Sequence, residues 1–175
     1  MARLIVGAGP DLGASLARAF TGECGMRVAV AARRRGPFET IAAEAGAVPL
    51  VTDASKVADV STLFHAAALA LDGAPNDVVY NASQRVRGPF VEVEAEAVAR
   101  AVYVTAIAAF RVAQQAVRRM LPDRHGAVIF TCASAGIKGF AQSAAFAMGK
   151  FALRGLAQSM ARESGFCRVS DGRAT

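Results

Sequence analysis

The stretch "RLIVGAGPDLGASLARAF", residues 3 to 20, constrains this chain more than any other. An apolar, β-branched run passes through a glycine-bearing turn directly into an Ala- and Leu-rich helical stretch. Gly7 and Gly9 free the backbone where the strand turns over, and Gly13 lets the helix pack closely on the strand. Backbone N–H groups at the helix start, from Leu12 onward, then face outward, which is how a pyrophosphate is held. The spacing G-x-G-x-x-x-G is one residue longer than the usual dinucleotide fingerprint. A glycine turn used only for packing is the competing reading, and the strand-turn-helix setting favours the cofactor.

The same alternation continues along the chain. Strands are expected at 3–7, 26–32, 47–52, 76–82 and 126–133, and helices at 12–20, 37–45, 57–71, 94–121 and 140–163. Strands apolar on both faces and separated by helices imply a parallel sheet covered on both sides. The expected fold is a Rossmann-type, doubly wound α/β sheet of order 3-2-1-4-5 in a single dinucleotide-binding domain, residues 1–175. No repeat, low-complexity tract or linker interrupts it.

Composition removes several function classes. With 54% hydrophobic and 19% charged residues, the chain is core-rich, so disorder is excluded. The net charge of +6 could suit nucleic acid, but there is no Trp, and no basic run is interleaved with aromatics. A small phosphorylated ligand or a soluble surface accounts for the charge as well. Cys24, Cys132 and Cys167 form no C-x-x-C, and His65 and His125 have no ligating neighbours, so neither a metal nor a disulfide framework is implied. The first apolar run stops at Gly7, too short for a signal peptide, and no run reaches the roughly eighteen residues of a membrane span. A cytoplasmic protein is expected.

The second expected strand ends in "AARRR", with no acid where a ribose 2′-hydroxyl would be bound. Arg33 and Arg34 suit a 2′-phosphate instead, which favours NADP(H) with NAD(H) as the alternative; a solvated basic turn is the competing reading. Asp53 can accept a hydrogen bond from the adenine amine or cap the following helix.

The glycine turn, Asp53, "YNAS" after strand four and a helix carrying Lys150 together resemble the short-chain dehydrogenase/reductase family over nearly the whole chain. The stretch "VIFTCASAGIKGFAQSAAFAMGKFALRGLAQSMARE" is similar to bacterial NAD(P)-dependent members. The family's T-G-x-x-x-G-x-G turn falls on Val6, Gly7, Asp11 and Gly13, and its N-A-G on Asn81, Ala82 and Ser83. Asp11 puts a carboxylate near the pyrophosphate unless it caps the helix. The resemblance gives Lys150 the nicotinamide ribose hydroxyls and a tyrosine one turn earlier, residues four apart sharing a helix face. Here Phe146 stands at that tyrosine, Ala133 at the carbonyl-polarising serine and Tyr103 at the relay asparagine.

The reading is therefore an NADP(H)-dependent oxidoreductase acting on a carbonyl or alcohol with an atypical active site. A non-catalytic dinucleotide-binding or oligomerising relative is the alternative. Tyr103 or Ser134, with Lys150, is expected to stand in for the missing groups; core packing is the competing role for Tyr103, and a snorkelling stem for Lys150. "FCRV" makes a fragment of a sixth strand at most, so the sheet should stop at five, truncated after the last long helix, with an open substrate pocket. Helices 94–121 and 140–163 are apolar nearly all round and so require cover beyond the sheet. The family's four-helix interface would supply it in a homodimer or homotetramer.

Overall fold

The computed structural model describes residues 1–164 and 167–170. Six parallel strands form one sheet: β1 (Ala2–Val6), β2 (Arg27–Ala32), β3 (Val48–Val51), β4 (Asp77–Tyr80), β5 (Ala127–Thr131) and β6 (Cys167–Ser170). Their order is β3-β2-β1-β4-β5-β6. The expected order 3-2-1-4-5 is thus present, and the expected end of the sheet at β5 is corrected. Cys167–Ser170 pairs in parallel with β5, Val128 opposite Cys167 and Thr131 opposite Ser170.

Side chains alternate across the pleat and so build two cores. Leu4, Val6, Val78, Tyr80, Val128 and Phe130 face helices α3 (Val57–Ala70), α5 (Ala108–Met120) and α6 (Ala144–Ser164), where Leu63, Phe64, Val112 and Leu153 meet them. Ile5, Val28, Val30 and Val79 face the other way, towards α1 (Leu12–Arg18) and α2 (Pro37–Ala45), which contribute Ala17, Phe38 and Ala42.

The helix expected at 94–121 is composite. α4 (Ala95–Val102) runs through one π-helical stretch, Tyr103–Ile107, into α5. The wide turn releases backbone carbonyls from the α-helical ladder. One of them, that of Val104, accepts the hydroxyl of the fully buried Tyr80 at the end of β4. The last helix begins at Ala144 rather than at 140; residues 137–143 lead into it with no regular structure.

Register brings the loops together. Val6 sits opposite Ala31 on one side and Tyr80 on the other, and Tyr80 opposite Phe130. The carboxyl ends of β1, β2, β4 and β5 therefore lie level, and the sheet order reverses between β1 and β4, where open α/β sheets bind their ligands.

Candidate active site

The glycine turn follows directly from β1. Gly7 has φ +95°, and a Cβ there would lie 2.3 Å from the Ala82 nitrogen, so only glycine permits the turn to lie against the β4 loop. Asn81 fastens the two: its backbone N–H donates to Val6 and its side-chain amide to the Gly7 carbonyl at 2.9 Å. Thr131 in turn donates its hydroxyl to the Asn81 side-chain oxygen at 2.9 Å, tying in β5. A Cβ at Gly13 would fall 2.9 Å from the Ala8 Cα, the close helix-to-turn packing the sequence implies.

A cavity of about 320 Å3 opens over this turn. Gly7, Gly9, Arg33, Asp53, Ser55, Asn81, Ala82 and Val104 are among its walls. A Cβ at Gly9 would meet no atom within 4 Å and would instead occupy open space beside the cavity. Asp53 does not cap α3, whose N-cap is Lys56. Its Oδ1 accepts the Ser55 hydroxyl at 2.7 Å and the Ser55 N–H at 3.0 Å. Ser55's hydrogen bonds, with the Arg33 guanidinium behind them, hold the Asp53 carboxyl below the usual carboxylate range against the opposing effect of burial. Of the two arginines expected at the 2′-phosphate, Arg33 lines the cavity, whereas Arg34 is exposed and outside its wall. Leu12 is exposed at the start of α1. Asp11 is the N-cap of α1 but makes no side-chain cap, so its carboxylate remains at the helix mouth.

Lys150 is 3% exposed on α6, and its ammonium donates to the Thr131 carbonyl at 2.8 Å. Burial pushes its pKa down, Cys132 opposes this, and Arg85 adds to it. Its placement depends on close helix contact: a Cβ on Gly149 would lie 2.9 Å from the Thr105 Cβ. Phe146, one turn before, lies 5.7 Å from the Lys150 ammonium by its ring centroid, and the Arg85 guanidinium covers the same ring at 4.4 Å.

A second cavity, also about 320 Å3, lies over Phe146. Ala133 and Ser134 line it with Arg85, Arg87, Gln142 and Ser143. The structure therefore brings Ser134 to the site together with Phe146. It does not bring Tyr103 there. That hydroxyl donates to the Ser55 carbonyl at 3.3 Å, on the Asp53 side, and accepts from Arg111, which also donates to the Ser55 carbonyl at 3.1 Å. The helix position facing Lys150's turn belongs to the buried Thr105, whose hydroxyl accepts the Gln84 N–H at 3.3 Å. Thr105 and Arg85 are the site residues that the sequence reading passed over. A π turn leaves no local sequence mark, and an arginine in a loop carries no periodicity.

The comparisons with known proteins agree with this geometry. The pattern of the short chain dehydrogenase family matches residues 2–170. A short-chain dehydrogenase from Rhodopseudomonas palustris is 30% identical, with a TM-score of 0.83 over 93% of this chain and 78% of that one. A short-chain type dehydrogenase/reductase from Mycobacterium marinum is 27% identical, with a TM-score of 0.86 over 93% of this chain and 68% of that one. Actinorhodin polyketide ketoreductase, solved with NADPH, shares the fold at 24% identity, with a TM-score of 0.89 over 97% of this chain and 67% of that one. The chain belongs to the short-chain dehydrogenase family, a family of NAD(P)-binding oxidoreductases. Among the described residues no helix is long and apolar enough to cross a membrane.

Proposed function

We propose that the chain binds NADP(H) and reduces a carbonyl, or oxidises the corresponding alcohol, through an active site in which Phe146 and Ala133 replace the proton-donating and carbonyl-polarising side chains. The observation that carries this reading is the cavity over Gly7 and Gly9, a glycine turn with open space at Gly9 and with Arg33 and Asp53 in the cavity wall. The donor set fits a dinucleotide phosphate: α1 N–H groups for the pyrophosphate, Arg33 with Arg34 for the 2′-phosphate and Asp53 for the adenine amine. The cofactor, when bound, supplies or accepts the hydride. Lys150, buried on α6 with its ammonium on the Thr131 carbonyl, is the cation assigned to the ribose hydroxyls, and its charge favours negative charge developing near it. Asn81 and Ala82 wall the cavity over the glycine turn, with Asn81 tied to Gly7 and Thr131.

Losing a positioned acid typically costs about 10²–10⁴ in rate, which slows turnover without abolishing hydride transfer. Ser134, next to Ala133, is the hydroxyl nearest in sequence to the replaced serine position, and it lines the cavity over Phe146 together with Ser143. Tyr103, committed to Ser55 and Arg111, is better read as part of the adenine-side scaffold. A homodimer or homotetramer in the cytoplasm completes the proposal. The second reading, a cofactor-binding but non-catalytic relative, is favoured by Phe146 and Ala133, which leave the cavity over them without the two hydroxyls they replace while the glycine-turn cavity keeps its walls.

Calorimetric titration with NADPH and, separately, NADH tests the reading. Binding of NADPH tighter than NADH, with the preference lost in Arg33→Gln/Arg34→Gln, is the expected result. Absence of binding to either cofactor overturns it.

A further inference from the structure

The cavity over Phe146 has a chemistry that the cofactor does not explain. Arg85 and Arg87 both line it, and no carboxylate does. Among the described residues, neither arginine enters an ion pair. Lys138, over the ring of the lining residue Phe140 at 5.2 Å, adds a further positive charge at the rim. The neutral polar groups in the wall, Ser134, Gln142 and Ser143, are all hydrogen-bond donors. Ser143 immediately precedes α6, so the positive end of a 21-residue helix adds to the field.

These groups are also held in place. The Arg85 guanidinium is stacked on Phe146, which limits the freedom an exposed arginine would otherwise have. The arginine loop is tied to the mouth of α6, because the Gly88 N–H donates to the Gln142 carbonyl at 3.3 Å. Gln142 sits at φ +56°, a left-handed conformation that a glutamine keeps only where the surroundings impose it. A receptor whose cations are fixed before the ligand arrives loses less on binding.

We propose that this cavity selects a small oxyanion: a ketone, aldehyde or alcohol that also carries a carboxylate or a phosphate, gripped by Arg85 and Arg87. The proposal rests on the oxidoreductase reading for the carbonyl, while the anion requirement comes from the cavity alone. A planar guanidinium offers paired N–H donors to either oxyanion, and two of them with no competing acid discriminate charge more than size. A volume of about 320 Å3 suits a metabolite of a few carbons rather than a long chain.

Titration with probe pairs matched in everything but charge tests it. Acetoacetate is compared with acetoacetamide, and dihydroxyacetone phosphate with dihydroxyacetone, on the protein with saturating NADPH and without it. At least one anion is expected to bind about tenfold or more tightly than its neutral partner, a preference that Arg85→Gln/Arg87→Gln removes and that Arg18→Gln/Arg162→Gln, at exposed arginines lining neither cavity, leaves. Preference for acetoacetate identifies the carboxylate as the bound group, and preference for dihydroxyacetone phosphate identifies the phosphate. Equal binding within both pairs, no binding of any probe, or an anion preference that survives in Arg85→Gln/Arg87→Gln overturns the proposal. NADPH titration of the parent chain separates the two readings: intact NADPH binding by a parent that shows no anion preference sinks only the substrate class. Failure of NADPH to bind even the parent chain sinks the proposed function.

Discussion

At Phe146 the ring is covered by the Arg85 guanidinium at 4.4 Å and lies 5.7 Å from the Lys150 ammonium. A phenol at this position would stand beside two cations, which favours its ionised form and so tunes it as an acid. The surroundings that would tune a proton donor are thus present around a side chain that has no proton to give. Phe146→Tyr combined with Ala133→Ser is expected to raise carbonyl-reduction turnover by about 10²–10⁴, read as NADPH consumption with a panel of small ketones. Unchanged turnover would mean that the site lacks more than the two groups.

Lys150 gives a prediction with a sign. Burial depresses its pKa below 10.5, so the folded state holds this proton less tightly than the unfolded chain does. Its charge therefore costs stability at neutral pH, and the cost is relieved as pH rises through the depressed value towards 10.5. Lys150→Met keeps the stem and removes the charge. At pH 7 it should melt above the parent, with the difference shrinking towards pH 10. Thermal melts of both proteins at both pH values check this, and the variant should bind NADPH more weakly. Lys150 was conspicuous in the sequence, as an ammonium among small apolar residues at the position the resemblance marks. Arg85 was not, because only the fold lays it across Phe146.

At the scale of elements, the contact between the π stretch 103–107 and α6 sets where Lys150 stands. Thr105 meets Gly149, and Gly136 packs on the other side, where a Cβ would lie 2.4 Å from the Cys132 sulfur. An alanine replacing glycine within a helix ordinarily stabilises by up to about 1 kcal/mol. Gly149→Ala should do the reverse, destabilising by about 1–3 kcal/mol in urea unfolding, because the new Cβ meets the Thr105 side chain in a packed interface. Tyr103 was placed at the site by the resemblance alone, as the residue at the relay asparagine; the fold turns its hydroxyl to the Ser55 carbonyl and Arg111 and sets Thr105 against the Gly149 turn of α6. Tyr103→Phe should accordingly leave NADPH-dependent turnover unchanged while lowering the melting temperature, since Arg111 loses a partner at Ser55.

Across the whole molecule, the order of the first five strands was readable because each strand is a short apolar run bounded by turns. The sixth was not: "CRVS" alternates weakly, and its strand character comes from pairing with β5, a contact that local propensity does not encode. The helices leave a further trace at this scale. Ile107 and Phe110 on the α4–α5 helix are 43% and 48% exposed, and Met148 and Phe151 on the adjoining α6 are 54% and 47% exposed. Single exposed apolar residues need no explanation, but large ones on two neighbouring helices make a surface that a second chain would cover on the proposed reading. A second copy presenting the same pair of helices would bury them by two-fold symmetry, each face meeting its own equivalent. Light scattering at micromolar concentration should therefore give a dimer or tetramer mass. Phe110→Glu/Phe151→Glu, which would bury four unpaired carboxylates per dimer, should shift that mass to the monomer while NADPH still binds. A parent chain that scatters as a monomer would show that these helix faces are exposed in solution and that the oligomer does not form.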